Sequence, residues 1–190
     1  FTTRHVNEYV SLDAEMSFIG GVSDVMDELE RTVQEALSTI GEKGKEELEL
    51  WGAVLPEPVA IPRIKLTEAL HILEKEYGKK MEGGEIDIDP EGERLIGEYA
   101  KKTFGSDFIF LTHYPTDIRP FYAMPGPDPH FTESFDLLFR GVELATGGQR
   151  IHEYKRLVDS IKKRGLNPDD FSGYLDVVRY GWPPHGGWGW

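Results

Sequence analysis

Residues 9–18 alternate in character: Val10, Leu12, Ala14, Met16 and Phe18 are apolar or small, and Ser11, Asp13, Glu15 and Ser17 between them are polar. A period of two predicts a strand with one buried face. The period then lengthens. Met26, Leu29, Val33, Leu37 and Ile40 recur every three or four positions, which predicts a helix capped by Ser23 and ended at Gly41. Residues 41–49 are charged and read as a loop or a frayed helix end, and Pro56, Pro58 and Pro62 punctuate an extended stretch. A second helix starts at Thr67, with Leu70, Leu73 and Tyr77 on one side and Gly78 as its stop. Asp89-Pro90-Glu91 opens a third: a capping carboxylate, then a proline whose missing N–H is not needed there. That helix runs to about residue 104 and stops at Gly105.

Residues 108–112 read as a buried strand and residues 121–124 as a short extended piece. Residues 133–140 alternate again, with Phe135, Leu137 and Phe139 on one face and Asp136, Leu138 and Arg140 on the other; the extended pattern continues to Thr146. Helices are predicted at residues 153–164 and 168–180, the second opened by Asn167-Pro168. Strands and helices mix without strict βαβ alternation, and there is no internal repeat. The expected class is α+β, an antiparallel sheet with one polar face and helices behind it.

Composition narrows the function. The 190 residues suffice for one domain. No apolar run approaches the roughly 20 residues of a membrane helix, and no h-region follows the first residues, so neither a membrane partner nor a signal peptide is expected. The absence of cysteine excludes disulfides and thiolate chemistry and fits a cytoplasmic protein. The net charge of −13 argues against nucleic-acid binding by this segment alone, so a tRNA partner would need a local basic patch or another domain.

Four segments look unlike scaffold. In residues 3–9, Arg4 and His5 can donate to phosphate oxygens and Tyr9 offers a flat face for a base; the alternative is a solvated arm. Residues 135–143 place polar side chains on strands, where position is rigid. In residues 143–150 a carboxylate and a hydroxyl, Glu143 and Thr146, can reach one hard cation such as Mg²⁺. Gly147 and Gly148 let backbone approach a ligand, and Arg150 offers a fork that matches a carboxylate. Residues 181–190 hold four glycines, two prolines and three tryptophans and read as a shaped loop. The residues by themselves support a polar sheet face able to hold a phosphate compound, Mg²⁺ and a carboxylate.

In this order the segments resemble the catalytic domain of class II aspartyl-tRNA synthetases of archaeal type, within the aspartyl/asparaginyl family. Residues 3–16 resemble the loop and second strand of motif 2; residues 134–152 resemble the strand-turn that holds Mg²⁺ and the amino acid; residues 180–187 resemble the lead-in to motif 3. The resemblance implies a six-stranded antiparallel sheet flanked by helices and a two-step reaction: aspartate and ATP give aspartyl-adenylate, and the aspartyl group passes to tRNA. It also implies a homodimer. Arg4 and His5, with Val6 beside them, match residues that hold the ATP phosphates, and Tyr9 a position that can stack on adenine. Glu143 matches the Mg²⁺-binding carboxylate. Thr146 stands where serine is usual, as a ligand of Mg²⁺ and substrate, and Arg150 matches the arginine that pairs with the substrate's side-chain carboxylate. His185 lies in a familiar motif without an assigned role.

Residues 1–190 are therefore expected to be a partial catalytic domain, from within motif 2 to just before the end of motif 3. Motif 1, two ATP-clamping arginines and the anticodon-binding OB domain fall outside it, and the isolated chain is expected to be inactive. Arg140 before Gly141 favours aspartate over asparagine. The alternatives are an asparaginyl enzyme, a tRNA-independent paralogue that makes asparagine, and a non-catalytic binding module.

Overall fold

A computed structural model describes residues 7–79 and 87–190. Six strands form one sheet in the order β1-β6-β5-β4-β3-β2. They are β1 (Asp13–Ser17), β2 (Arg63–Lys65), β3 (Phe108–Thr112), β4 (Ser134–Phe139), β5 (Val142–Gln149) and β6 (His185–Gly189). Every neighbouring pair is antiparallel except β2 and β3, which run parallel, so the sheet is mixed. A parallel pair needs a long crossover. Here it is supplied by α3 (Leu66–Tyr77) and α4 (Pro90–Phe104), which lie between the two strands in sequence. The expected fully antiparallel sheet is corrected on this point alone.

Local signals are met where local chemistry sets them. Asp89 Oδ1 accepts from the Gly92 N–H at 2.7 Å, capping α4, and Gly78 and Gly105 end α3 and α4 in the left-handed region. Other expectations change. The first strand is shorter than its alternation: Val10 is 96% exposed, and Phe18 leaves the strand at a φ of 62°. The first helix, α1 (Val22–Lys43), is preceded by Gly21 with no side-chain cap, so Ser23 is not its cap; it runs through Gly41, and a further helix, α2 (Lys45–Trp51), occupies the stretch expected to be a loop or a frayed helix end. Residues 168–180 divide into a 3-10 turn (Pro168–Phe171) and α6 (Ser172–Arg179).

The largest correction is β6. The glycine-rich end is no loop but an inner strand with hydrogen-bonded neighbours on both sides. A Cβ at Gly187 would collide with the Ala14 carbonyl oxygen and the Glu15 carboxylate, and one at Gly186 would lie 2.7 Å from the Gly148 carbonyl oxygen. The glycines are there because neighbouring strands leave no room for side chains.

One sheet face packs Phe110, Phe135, Leu137 and Trp188 against Val25, Met26, Leu29 and Val33 of α1. On the other face α3 and α4 cover Ile64, Ile109, Leu111 and Leu138. A third cluster joins α5 (Tyr154–Lys163) and α6 to Met124 and Ile151. Over β1, β6 and β5 the second face opens into a cavity of about 470 Å³.

Candidate active site

Residues paired across neighbouring strands project from the same face. The register lays two rows of side chains across the cavity floor. One runs Asp13, Gly189, Thr146, Asp136, and the other runs Glu15, Gly187, Gly148, Ser134. The inner positions are mostly glycine, so the floor is recessed between the acidic edge of β1 and the wall of β4. The tolerance is small: a Cβ at Gly148 would lie 2.8 Å from the Glu133 carbonyl oxygen, and one at Gly189 would lie 2.8 Å from Asp13 Oδ1.

Glu143 and Thr146 are three residues apart, which in a regular strand puts them on opposite faces. A bulge brings them together. Asp136 pairs with Thr146, Leu137 with Ala145, and Leu138 with Glu143, so Leu144 is the extra residue. Asp136 and Leu138 share a face; Thr146 and Glu143, opposite them, therefore share it too. The hairpin joining β4 to β5 turns through Arg140 at a φ of 50° and Gly141 at 78°, as two-residue hairpins require.

Asp136 is 7% exposed and sits among Thr146, Arg119 and Tyr114. Thr146 Oγ1 donates to its Oδ1 at 2.6 Å, and Arg119 Nη2 forms an ion pair 2.7 Å from the same oxygen. Arg119 Nη1 also donates to Thr146 Oγ1 at 3.1 Å, and its guanidinium lies 3.7 Å above the centre of the Tyr114 ring. Burial first, and the Asp136 charge second, push the Tyr114 hydroxyl far above its ordinary range, so it remains a donor.

At the other end of the cavity Arg150 donates to Glu15 twice, from Nε at 3.1 Å and from Nη2 at 3.2 Å. This is a side-on fork, and it uses two of the five guanidinium N–H groups. Among the described residues no other hydrogen bond engages the Arg150 guanidinium, which lies 5.3 Å from the Tyr122 ring centre. The end-on edge carries no hydrogen bond among the described residues, and Arg150 lines the cavity. His185, fully buried, stacks on Trp182 and places Nδ1 2.9 Å from the Pro183 carbonyl oxygen. Burial lowers its pKa, so the ring is neutral at neutral pH and Nδ1 is the donor in that bond.

Thr146 and Arg150 line the 470 Å³ cavity together with Asp13 and Glu15. Glu143 lines two adjoining cavities, one shared with Tyr9, Asp13 and Thr146 and one shared with Asp136, Arg119 and Tyr114. Arg4, His5 and Val6 lie outside the described residues. Among the described residues no group of three or more histidine, aspartate or glutamate side chains is arranged to hold a metal ion. Mg²⁺ commonly takes only one or two carboxylates and completes its shell with water and phosphate oxygens. Glu143 and Thr146, brought to one face by the bulge, fit that pattern. Arg119, Tyr114, Asp13 and Glu15 were not singled out from sequence. Asp13 and Glu15 carried a signal, since both fall on the polar face of the first alternating strand. Arg119 follows a 3-10 turn (Thr116–Ile118) and carries no periodicity.

The chain matches, over residues 1–190, the family described as tRNA synthetases class II (D, K and N). Among curated proteins it is 49% identical over 191 residues to the aspartate–tRNA(Asp/Asn) ligase of Aeropyrum pernix, covering 99% of this chain and 43% of that protein. It is 45% identical to the aspartate–tRNA(Asp) ligase of Pyrococcus abyssi, with the same coverage. It therefore spans less than half the length of these relatives. Among solved structures, the asparaginyl-tRNA synthetase of Pyrococcus horikoshii, complexed with asparaginyl-adenylate, superposes with a TM-score of 0.88 at 31% identity, covering 99% of this chain and 43% of that one.

Proposed function

Because this chain belongs to the class II tRNA synthetases (D, K and N), we propose that the whole protein is an aspartate–tRNA ligase that uses ATP. An aspartate α-carboxylate oxygen attacks the α-phosphorus of ATP, and pyrophosphate leaves. A hydroxyl of the tRNA 3′-terminal adenosine then takes the aspartyl group, and AMP leaves. No protein nucleophile is needed, so the residues act by positioning and by fixed charge.

The observation that carries this reading is the orientation of Arg150. Glu15 holds its side edge and leaves the end-on edge, two parallel donors, at the margin of a glycine-floored cavity. That edge matches the side-chain carboxylate of aspartate. The amide of asparagine would offer it one acceptor and one mismatched donor group. Asp13, two residues before Glu15 on the same β1 edge, supplies negative charge for the substrate ammonium. Glu143 and Thr146 would hold Mg²⁺, which neutralises phosphate charge when bound. Arg4, His5 and Val6 are assigned to the phosphates, and Tyr9 to the adenine face. A homodimer and a cytoplasmic setting belong to the same proposal. The names of the relatives at 45–49% identity support aspartate over asparagine.

The test is ATP–pyrophosphate exchange by the full-length protein with aspartate, asparagine or lysine as the amino acid. Exchange with aspartate alone is expected. Exchange with asparagine and none with aspartate would replace this reading with the asparaginyl one.

A further inference from the structure

We propose that Arg119 is a positioning residue for the reaction. It locks the Thr146 hydroxyl into a single orientation, as an acceptor facing the cavity, and holds the charge of Asp136 in place. The proposal rests on the aspartate–tRNA ligase reading.

The argument is a valence count. A hydroxyl has one proton and two lone pairs. The Thr146 proton is committed to Asp136 Oδ1 at 2.6 Å, and one lone pair accepts from Arg119 Nη1 at 3.1 Å. One lone pair remains. Its partner must be a cation or an N–H donor, such as a metal ion or the substrate ammonium, and never a phosphate or carboxylate oxygen. Without Arg119 the hydroxyl is free to turn. Asp136, buried with its Oδ1 2.7 Å from Arg119 Nη2, also loses its balancing charge.

Arg119 is built to be immobile. Its side chain is 15% exposed, its guanidinium lies over the Tyr114 ring, and its contacts with Thr146 and Asp136, which bond to each other, close a ring. Its backbone carbonyl accepts from Arg164 Nη2. The same Arg164 guanidinium also donates to the Thr116 carbonyl at 2.6 Å and the Asp117 carbonyl at 3.4 Å. One arginine at the end of α5 thus ties down the segment that carries Arg119. Arg119 and Thr146 both line the 470 Å³ cavity, so the ring borders the ligand space and is more than buried scaffold.

The test is a double-mutant cycle in the full-length protein, read by ATP–pyrophosphate exchange. Truncating one partner of a buried charged hydrogen bond commonly lowers affinity by about 30-fold or more. Arg119→Gln and Thr146→Val should each lower kcat/KM for aspartate by about that factor. If Arg119 acts through Thr146, the double variant should fall within about threefold of Thr146→Val alone. Arg119→Lys, which can keep one contact, should recover part of the loss. A double variant whose loss is the product of the two single losses would overturn the proposal, as would an Arg119→Gln enzyme with unchanged kcat/KM. A wild type that exchanges only with asparagine would sink the aspartate reading and leave this proposal standing, with the cycle then measured on asparagine. No exchange with any amino acid would overturn both.

Discussion

Replacing Arg150 with lysine separates the amino-acid subsite from the nucleotide subsite. In the structure Arg150 makes two hydrogen bonds to Glu15, at 3.1 and 3.2 Å, and its side chain is 20% exposed. Lysine carries one compact charge on a flexible stem, so it can answer Glu15 or a substrate carboxylate but not both with parallel donors. The loss is therefore counted twice: the fork to the ligand goes, and Glu15 becomes a poorly paired carboxylate beside a bound anion. Losing a partner in a desolvated charge pair costs roughly 2–5 kcal/mol, equivalent to about 30-fold to several thousand-fold in affinity. The KM for aspartate in ATP–pyrophosphate exchange by the full-length protein should rise by at least that lower factor. The KM for ATP should change little, because the proposal assigns its phosphates to Arg4, His5 and a Mg²⁺ that Glu143 would hold. Equal rises in both KM values would refute the assignment and make Arg150 a nucleotide or structural residue. Unchanged KM for aspartate would refute it outright.

Helices α3 and α4 and the central hydrophobic strands were legible because their causes are local. Asp89 caps the helix that its own sequence begins, Gly105 ends it, and the unbroken apolar run of β3 is buried at every position. What failed had causes elsewhere in the chain. β6 looked like a loop because glycine has no intrinsic preference for strand; the reason for glycine at 187 lies at Ala14 and Glu15, more than 170 residues upstream. β2 is three residues long and finds its place only by pairing with β3. The site divides in the same way. Glu143, Thr146 and Arg150 could be grouped from their spacing and from resemblance, yet the fact that puts Glu143 on the same face as Thr146 is the bulge at Leu144. That bulge exists only in the pairing of β5 with β4. Arg119 is joined to Asp136 and Thr146 purely by tertiary contact, and no pattern around residue 119 announces it.

Three further outcomes follow from the same geometry. Glu143→Gln should keep the fold and shift the Mg²⁺ concentration for half-maximal exchange upward, by about tenfold or more, since a neutral amide is a much weaker ligand for a hard cation; an unchanged Mg²⁺ profile would remove Glu143 from the metal assignment. Asp107 is partly buried, which pushes its carboxyl upward, but its bonds to Lys101 at 2.7 Å and Arg140 at 3.0 Å outweigh this and hold it below its ordinary value of 3.8. A depressed folded pKa stabilises above about pH 4 and loses that stabilisation as pH falls through the folded value. Asp107→Asn should therefore cost about 1 kcal/mol near neutral pH and flatten the acid limb of the unfolding curve. Equal acid sensitivity in both proteins would exclude this pair as a source of it. The last perturbation is Gly187→Ala. The added methyl would meet the Ala14 carbonyl oxygen and the Glu15 carboxylate. The first of these is backbone in a hydrogen-bonded neighbour strand and cannot turn aside, so β1 and β6 must separate locally. Overpacking of this kind costs roughly 1–3 kcal/mol, or about 2–12 °C of melting temperature in a domain of this size. The displaced Glu15 would also release the side edge of Arg150, so the KM for aspartate should rise together with the loss of stability. Gly173→Ala is the control, because nothing lies within 4 Å of a Cβ there and the position is within α6; it should be neutral or slightly stabilising. If Gly187→Ala melted like Gly173→Ala, the close approach of β1 to β6 would be wrong, and with it the recessed floor on which the site is built.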